Sequence, residues 1–159
     1  KRFGYEQSYI DSIKQLWKDY KVNSISNLLV MLKEYRIQSN RKVTISAAVK
    51  PNIIEAKNRW FQDWSSWIEL SLIDYAVVMN YTPNNLEFNN LINLITENIY
   101  IQDKQKVIMV IAAYNQEAKL VVDKIKISQL NGFNSISIFS YNAHENNLNW
   151  FEPIIKHLD

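Results

Sequence analysis

The stretch from Lys106 to Ser140, KVIMVIAAYNQEAKLVVDKIKISQLNGFNSISIFS, reads as a strand, a helix and a second strand. Lys106 to Ala113 is an apolar run rich in β-branched residues, as strands are. Gln116 to Leu130 then carries Ala118, Leu120, Val121, Val122, Ile125 and Ile127 with helical periodicity, and Gly132 follows where a helix commonly stops. Ser135 to Ser140 returns to the strand pattern. A unit of this length is a βαβ crossover, whose strands run parallel.

The same pattern extends towards the N-terminus. Lys42 to Val49 and Ile73 to Asn80 are also β-branched runs, so four runs recur at a spacing of roughly thirty residues, the length of one βα unit. Asn84 to Tyr100 and Asn146 to Leu158 are further helical stretches, and Ile53 to Trp60 follows Pro51 with a second helical start near Asp63. Ahead of the first strand, Glu6 to Lys21 and Ile25 to Gln38 read as two helices. A complete (β/α)8 barrel needs about 250 residues. The expected fold is therefore α/β: four parallel strands alternating with helices, sequential neighbours in one curved sheet, forming the C-terminal half of a TIM-like barrel within one partial domain, 1–159. A free-standing four-stranded α/β domain of flavodoxin type is the alternative, weakened by the lack of a glycine-rich phosphate loop.

Alternation along each strand assigns its two faces. Thr44, Ser46 and Ala48, then Ala76, Val78 and Asn80, then Ser135, Ser137 and Tyr141 make a small or polar set, expected to face a barrel interior, although an open sheet with helices on both faces also tolerates it. Val43, Ile45 and Val49, then Tyr75, Val77 and Met79, then Ile136 and Ile138 are expected to pack under helices.

Composition narrows the function. With 47% hydrophobic and 21% charged residues the chain has the make-up of a folded, soluble protein. Eighteen basic and sixteen acidic residues leave a net charge of +2 with no basic block, which argues against nucleic acid as a partner. The longest apolar run, Val107 to Ala113, is far short of the roughly 20 residues that span a bilayer. Having no cysteine, the chain has no disulfide, thiolate metal site or cysteine nucleophile, and two histidines cannot build a histidine-rich metal site. Gly4 and Gly132 are the only glycines, so neither a phosphate loop nor a dinucleotide fingerprint can be written. No cofactor and no metal are expected. The start at Lys1, without a methionine or a targeting segment, leads to the expectation that the chain is part of a longer one.

Three strand ends carry an Asn and Tyr pair: Asn80-Tyr81, Tyr114-Asn115 and Tyr141-Asn142. Sites in parallel α/β folds lie at the carboxyl ends of strands, and amides with phenols suit sugar hydroxyls. Each pair alone also fits a turn amide beside a rim aromatic. Trp60 and Trp64 could stack on a sugar ring, while Trp67, on the same helical face as Trp64, fits packing against the sheet. Asp63 and Glu145 are the candidate catalytic carboxylates, since glycoside hydrolysis usually takes two across the scissile bond. Asp63 also fits a helix N-cap, and Glu145, next to His144, a solvated loop. Asp74 at the start of its strand and His157 in the last helical turn read as structural.

Taken in order, Ser46-Ala47-Ala48-Val49, Glu55-Ala56-Lys57-Asn58-Arg59, Gln62-Asp63-Trp64 with Trp67, Asp74 and Met79-Asn80-Tyr81-Thr82 resemble the bacterial glycosyl-hydrolase-like family ten. Ala113-Tyr114, the stretch from Gly132 to Phe139-Ser140-Tyr141, and the opening Arg2-Phe3-Gly4-Tyr5 fit the same family. The resemblance implies a TIM-like barrel acting on a bacterial cell-wall or other polysaccharide, with peptidoglycan glycan strands among the substrates and an exported or lipid-anchored location. It also implies that Asp63, Trp64, Asn80 and Tyr81 lie around the cleft. Lys50 departs from the family by replacing a usual aromatic residue, and Met109 and Ser135 replace usual glycines. Lys50 shares a face with Ser46 and Ala48, which places a cation near the expected cleft. The family's acidic Asp-Tyr-x-Arg-like segment would lie upstream of Arg2, so the chain alone is expected to hydrolyse no glycan. A non-catalytic carbohydrate-binding or scaffold module is the competing expectation.

Overall fold

In a computed structural model, residues 6–158 are described. Arg2-Phe3-Gly4-Tyr5, part of the family resemblance, lies outside them. Strands β1 (Ser46–Val49), β2 (Tyr75–Asn80), β3 (Val107–Ala112) and β4 (Ser135–Phe139) form one all-parallel sheet in the order β1-β2-β3-β4. Helices alternate with them: α1 (Gln7–Gln38) before the sheet, α2 (Ile53–Trp60) and α3 (Trp64–Glu69) after β1, α4 (Asn85–Asn98) after β2, α5 (Ala118–Leu130) after β3 and α6 (Glu152–Leu158) after β4. Short 3-10 turns occupy Ile101–Lys106, Tyr141–His144 and Leu148–Phe151.

Right-handed crossovers between successive neighbours that always step the same way place every connecting helix on one face of the sheet. Burial agrees with this. Val49, Ala76, Val78, Val107, Met109 and Ile111 join Trp64, Trp67, Phe88, Ile92, Val121, Ile125 and Phe133 in a single buried core between sheet and helices. On the other face Ser46, Ala48, Tyr75, Ser137 and Phe139 are exposed, and Val77, Met79 and Ile108 are half-buried.

The register corrects one expectation. Ser46 pairs with Tyr75 and Ala48 with Val77, so Tyr75, Val77 and Met79 share the open face with the small residues of β1. Ala76, Val78 and Asn80 lie under the helices instead. The period of β2 is as expected but its phase is opposite, because Ala76 and Asn80, small and polar, face the core.

Two helices were expected before β1, and one continuous helix is present. Asn23 and Ser24 suggest a break, but the Ser24 hydroxyl donates to the Tyr20 carbonyl at 2.7 Å, a back-bond that satisfies the side chain without ending the helix. β1 begins at Ser46 rather than Lys42. Upstream of it, the Val43 carbonyl accepts from Arg36, the Ile45 amide donates to the Asp74 carboxylate, and the Ile45 carbonyl accepts from the Asp74 amide at 2.7 Å, so side chains and one backbone bond tie this segment to the start of β2. The helix expected from Asn146 is divided into the Leu148–Phe151 turn and α6, where Pro153 falls in the first turn and its missing N–H costs nothing. Gly132 ends α5 with φ of 85°, as its position suggested.

Candidate functional site

The carboxyl end of the sheet is assembled from four short connections. After β1, Lys50 is held at both backbone groups: its amide donates to the Gln62 side chain at 3.0 Å, and its carbonyl accepts from the Trp64 indole at 3.1 Å. Gln62 reaches this point because Phe61 closes α2 in the left-handed region, φ 58°, a conformation a bulky residue adopts at a cost. Nothing in the sequence marks that corner, since no glycine stands there.

Asp63 occupies the N-cap position of α3, but its side chain makes no capping bond. It forms an ion pair with Lys57 at 2.8 Å, which replaces the capping role expected for it. Capping does occur at the neighbouring helix starts, where Asn52 accepts from the Glu55 amide and Asn84 from the Glu87 amide. Trp64 is fully buried and offers no face to a sugar, and Trp67 is buried beside it with its indole donating to Ser26. Trp60 is the exposed indole of this run, 43% accessible, with the Lys50 ammonium 4.8 Å from its ring centre.

After β2 and β3 the rim becomes aromatic. Tyr81 stacks on Phe139 at 5.6 Å, and Tyr114 meets both rings edge-on at 6.2 and 6.4 Å. The Asn115 amide donates to the Tyr81 carbonyl at 3.0 Å and couples the two connections. Burial, reinforced by the neighbouring Tyr114, raises the Tyr81 pKa, so its phenol stays a donor across the ordinary pH range. Asn80, one residue earlier, is fully buried on the helix side, and neither atom of its amide has a partner among the described residues. It does not share the exposed rim with Tyr81.

After β4, Tyr141 stacks on Phe151 at 6.0 Å, and His144 stacks on Trp150 at 3.8 Å while donating to the Ala113 carbonyl at 3.0 Å. Asn142 and Glu145 are exposed. Tyr114, Phe139 and Tyr141 each keep half or more of their surface in solvent. Phe139, Trp150 and Phe151 were not singled out from sequence. Phe139 was the most accessible of these to reasoning, because it continues the alternation of Ser135 and Ser137 on the open face.

The larger grooves lie at the opposite, amino-terminal end of the strands. One of about 670 Å³ runs between Ile101–Gln105 and Leu130–Ser135, and one of about 560 Å³ is lined by Arg36, Asn40 to Thr44 and Asp74. Among the described residues no cluster of histidine and carboxylate side chains could hold a metal ion, and no helix is long and apolar enough to cross a membrane. No protein-family model matches the chain, and no curated protein matches it.

Proposed function

We propose that the chain forms half of a glycoside-hydrolase-like (β/α) barrel whose carboxyl-end rim binds a polysaccharide, in keeping with its resemblance to the bacterial glycosyl-hydrolase-like family ten. The observation that carries this reading is the grouping of Tyr81, Tyr114 and Phe139 at the carboxyl ends of three adjacent parallel strands, with the Asn115 amide between two of them. Stacked rings with flanking amides recognise the two surfaces of a sugar, its apolar C–H face and its hydroxyls. Cell-wall glycan is the substrate class the resemblance favours, and an extracytoplasmic location belongs to the same proposal.

The half-barrel rests on the sheet. All-parallel sheets are found with both faces covered, while this one carries helices on one face and leaves Ser46, Ala48 and Phe139 exposed on the other. Four further strands would close the curve and cover that face.

One observation favours binding over hydrolysis by this chain alone. Asp63 is neutralised by Lys57, and Glu145 is exposed on a loop, so neither stands as a preorganised acid facing a base. The test is co-sedimentation with insoluble peptidoglycan. Tyr114→Ala and Tyr141→Ala should each weaken retention about tenfold, or about 1.4 kcal/mol. Unchanged retention in both variants would remove the rim from the reading. Turnover of the glycan by the 159-residue chain, lost in Asp63→Asn, would replace binding with catalysis.

A further inference from the structure

The exposed end of β1 gathers more positive charge than it neutralises. Lys57 is paired with Asp63 at 2.8 Å and Arg59 with Glu55 at 2.9 Å. Lys50 and Lys21 have no carboxylate partner among the described residues and rest on aromatic rings instead, Lys50 on Trp60 at 4.8 Å and Lys21 on Phe61 at 3.9 Å. Arg59 approaches the same Trp60 ring, 5.3 Å from its centre. Arg59 is already paired, so an anion set beside Lys50 would meet the one ammonium at this ring that lacks a carboxylate among the described residues.

Lys50 is placed for such a contact. Its backbone is clamped by Gln62 and Trp64, which limits the freedom lost when a ligand binds. It stands one residue beyond the Val49–Val78 pair, at the carboxyl end of β1 and on the side shared with Ser46 and Ala48. A cation resting on a ring keeps its N–H donors free, because the ring accepts charge but fills no hydrogen-bond position along the outer side. Beside it Trp60 keeps 43% of its surface in solvent.

We infer that Lys50 and Trp60 form a subsite for a carboxylate-bearing sugar, the ammonium taking the carboxylate and the indole the apolar face of the ring. This deepens the polysaccharide-binding reading and rests on it. The carboxylate could sit directly on the sugar ring, as in a hexuronate, or on a lactyl ether, as in N-acetylmuramate, and both present the same group to Lys50.

Titration calorimetry of the whole chain tests this with three oligosaccharides of matched length: a hexuronate oligomer, an N-acetylmuramate-containing oligomer and a neutral hexose oligomer. At least one acidic ligand should bind about tenfold or more tightly than the neutral one. Lys50→Gln should abolish that preference, Lys50→Arg should keep it, and added salt should reduce it. Which acidic ligand is preferred identifies the source of the carboxylate. Equal binding of acidic and neutral ligands, or a preference that survives Lys50→Gln, would overturn the subsite and leave the polysaccharide reading standing. Binding of none of the three would overturn both.

Discussion

Lys124 sits in the middle of α5, fully buried, with no carboxylate partner among the described residues. Its ammonium donates to the Pro83 carbonyl at 3.0 Å and to the Gln116 side chain, whose own amide donates to the Ala112 carbonyl. This ties the connection after β2 to the connection after β3, and so holds Tyr81 and Tyr114 in one rim. Burial lowers the Lys124 pKa from 10.5 to about 8. Because the folded value is the lower one, the unfolded chain binds more protons between these limits, and stability should rise with pH across that window. The cost of keeping the charge buried is present in full below the folded value. Urea unfolding of the native chain and of Lys124→Met through this window should give a positive slope in the first that is missing in the second; equal slopes would show that Lys124 is solvated. Sequence reading passed over this residue because Val121, Val122 and Ile125 set the helix period around it, and a lysine in such a run is normally on the solvent face. Asn80 was singled out, but a strand end does not reveal to which face its last residue turns.

At the scale of elements, α1 is the least conventional. Spanning 32 residues, it is about 48 Å long at the usual rise, against strands of four to six residues. Val22 is buried, Leu29 joins the core and Ile25 packs against it, while Ile13, Trp17, Leu28, Met31 and Tyr35 form an exposed stripe on the opposite side. What anchors its C-terminal end is Asp74, whose carboxylate accepts from Arg36 at 2.5 Å and from the Ile45 amide at 2.7 Å. Asp74→Ala leaves both donors without that partner and should cost about 1–3 kcal/mol, read as a lower urea midpoint; no change would assign the anchoring to the apolar contacts alone. The reading of Asp74 as structural came from its place at the start of a strand. The continuity of α1 was not legible, because Asn23 and Ser24 are good end residues and only the back-bond to Tyr20 shows that they do not act as such here. The strand positions and their order, by contrast, followed from β-branched runs separated by helical period, since the right-handed crossover permits few alternatives.

Helices cover the sheet on one side only. Its helix face is a continuous apolar core, and its other face mixes Ser46, Ala48 and Ser137 with Val77, Met79 and Phe139. That mixture explains why the phase of β2 was misread: the open face is partly apolar, so polarity did not separate inside from outside. Tyr81, Tyr114, Asn115, Tyr141 and Asn142 are legible as a rim because such pairs repeat at three strand ends, whereas Asn80 turns into the core and the contact of Phe139 with Tyr81 joins strands distant in sequence. The rim, and not the grooves at the amino-terminal end, is proposed to take the polysaccharide. Chemical-shift mapping of the isotopically labelled chain during titration with a soluble peptidoglycan glycan oligomer tests it most directly. Shifts gathered on Lys50, Tyr81, Tyr114, Asn115, Tyr141 and Asn142 are the predicted result. Shifts gathered instead on Arg36, Asn40 to Thr44 and Asp74, or no shifts at saturating oligomer, would contradict it.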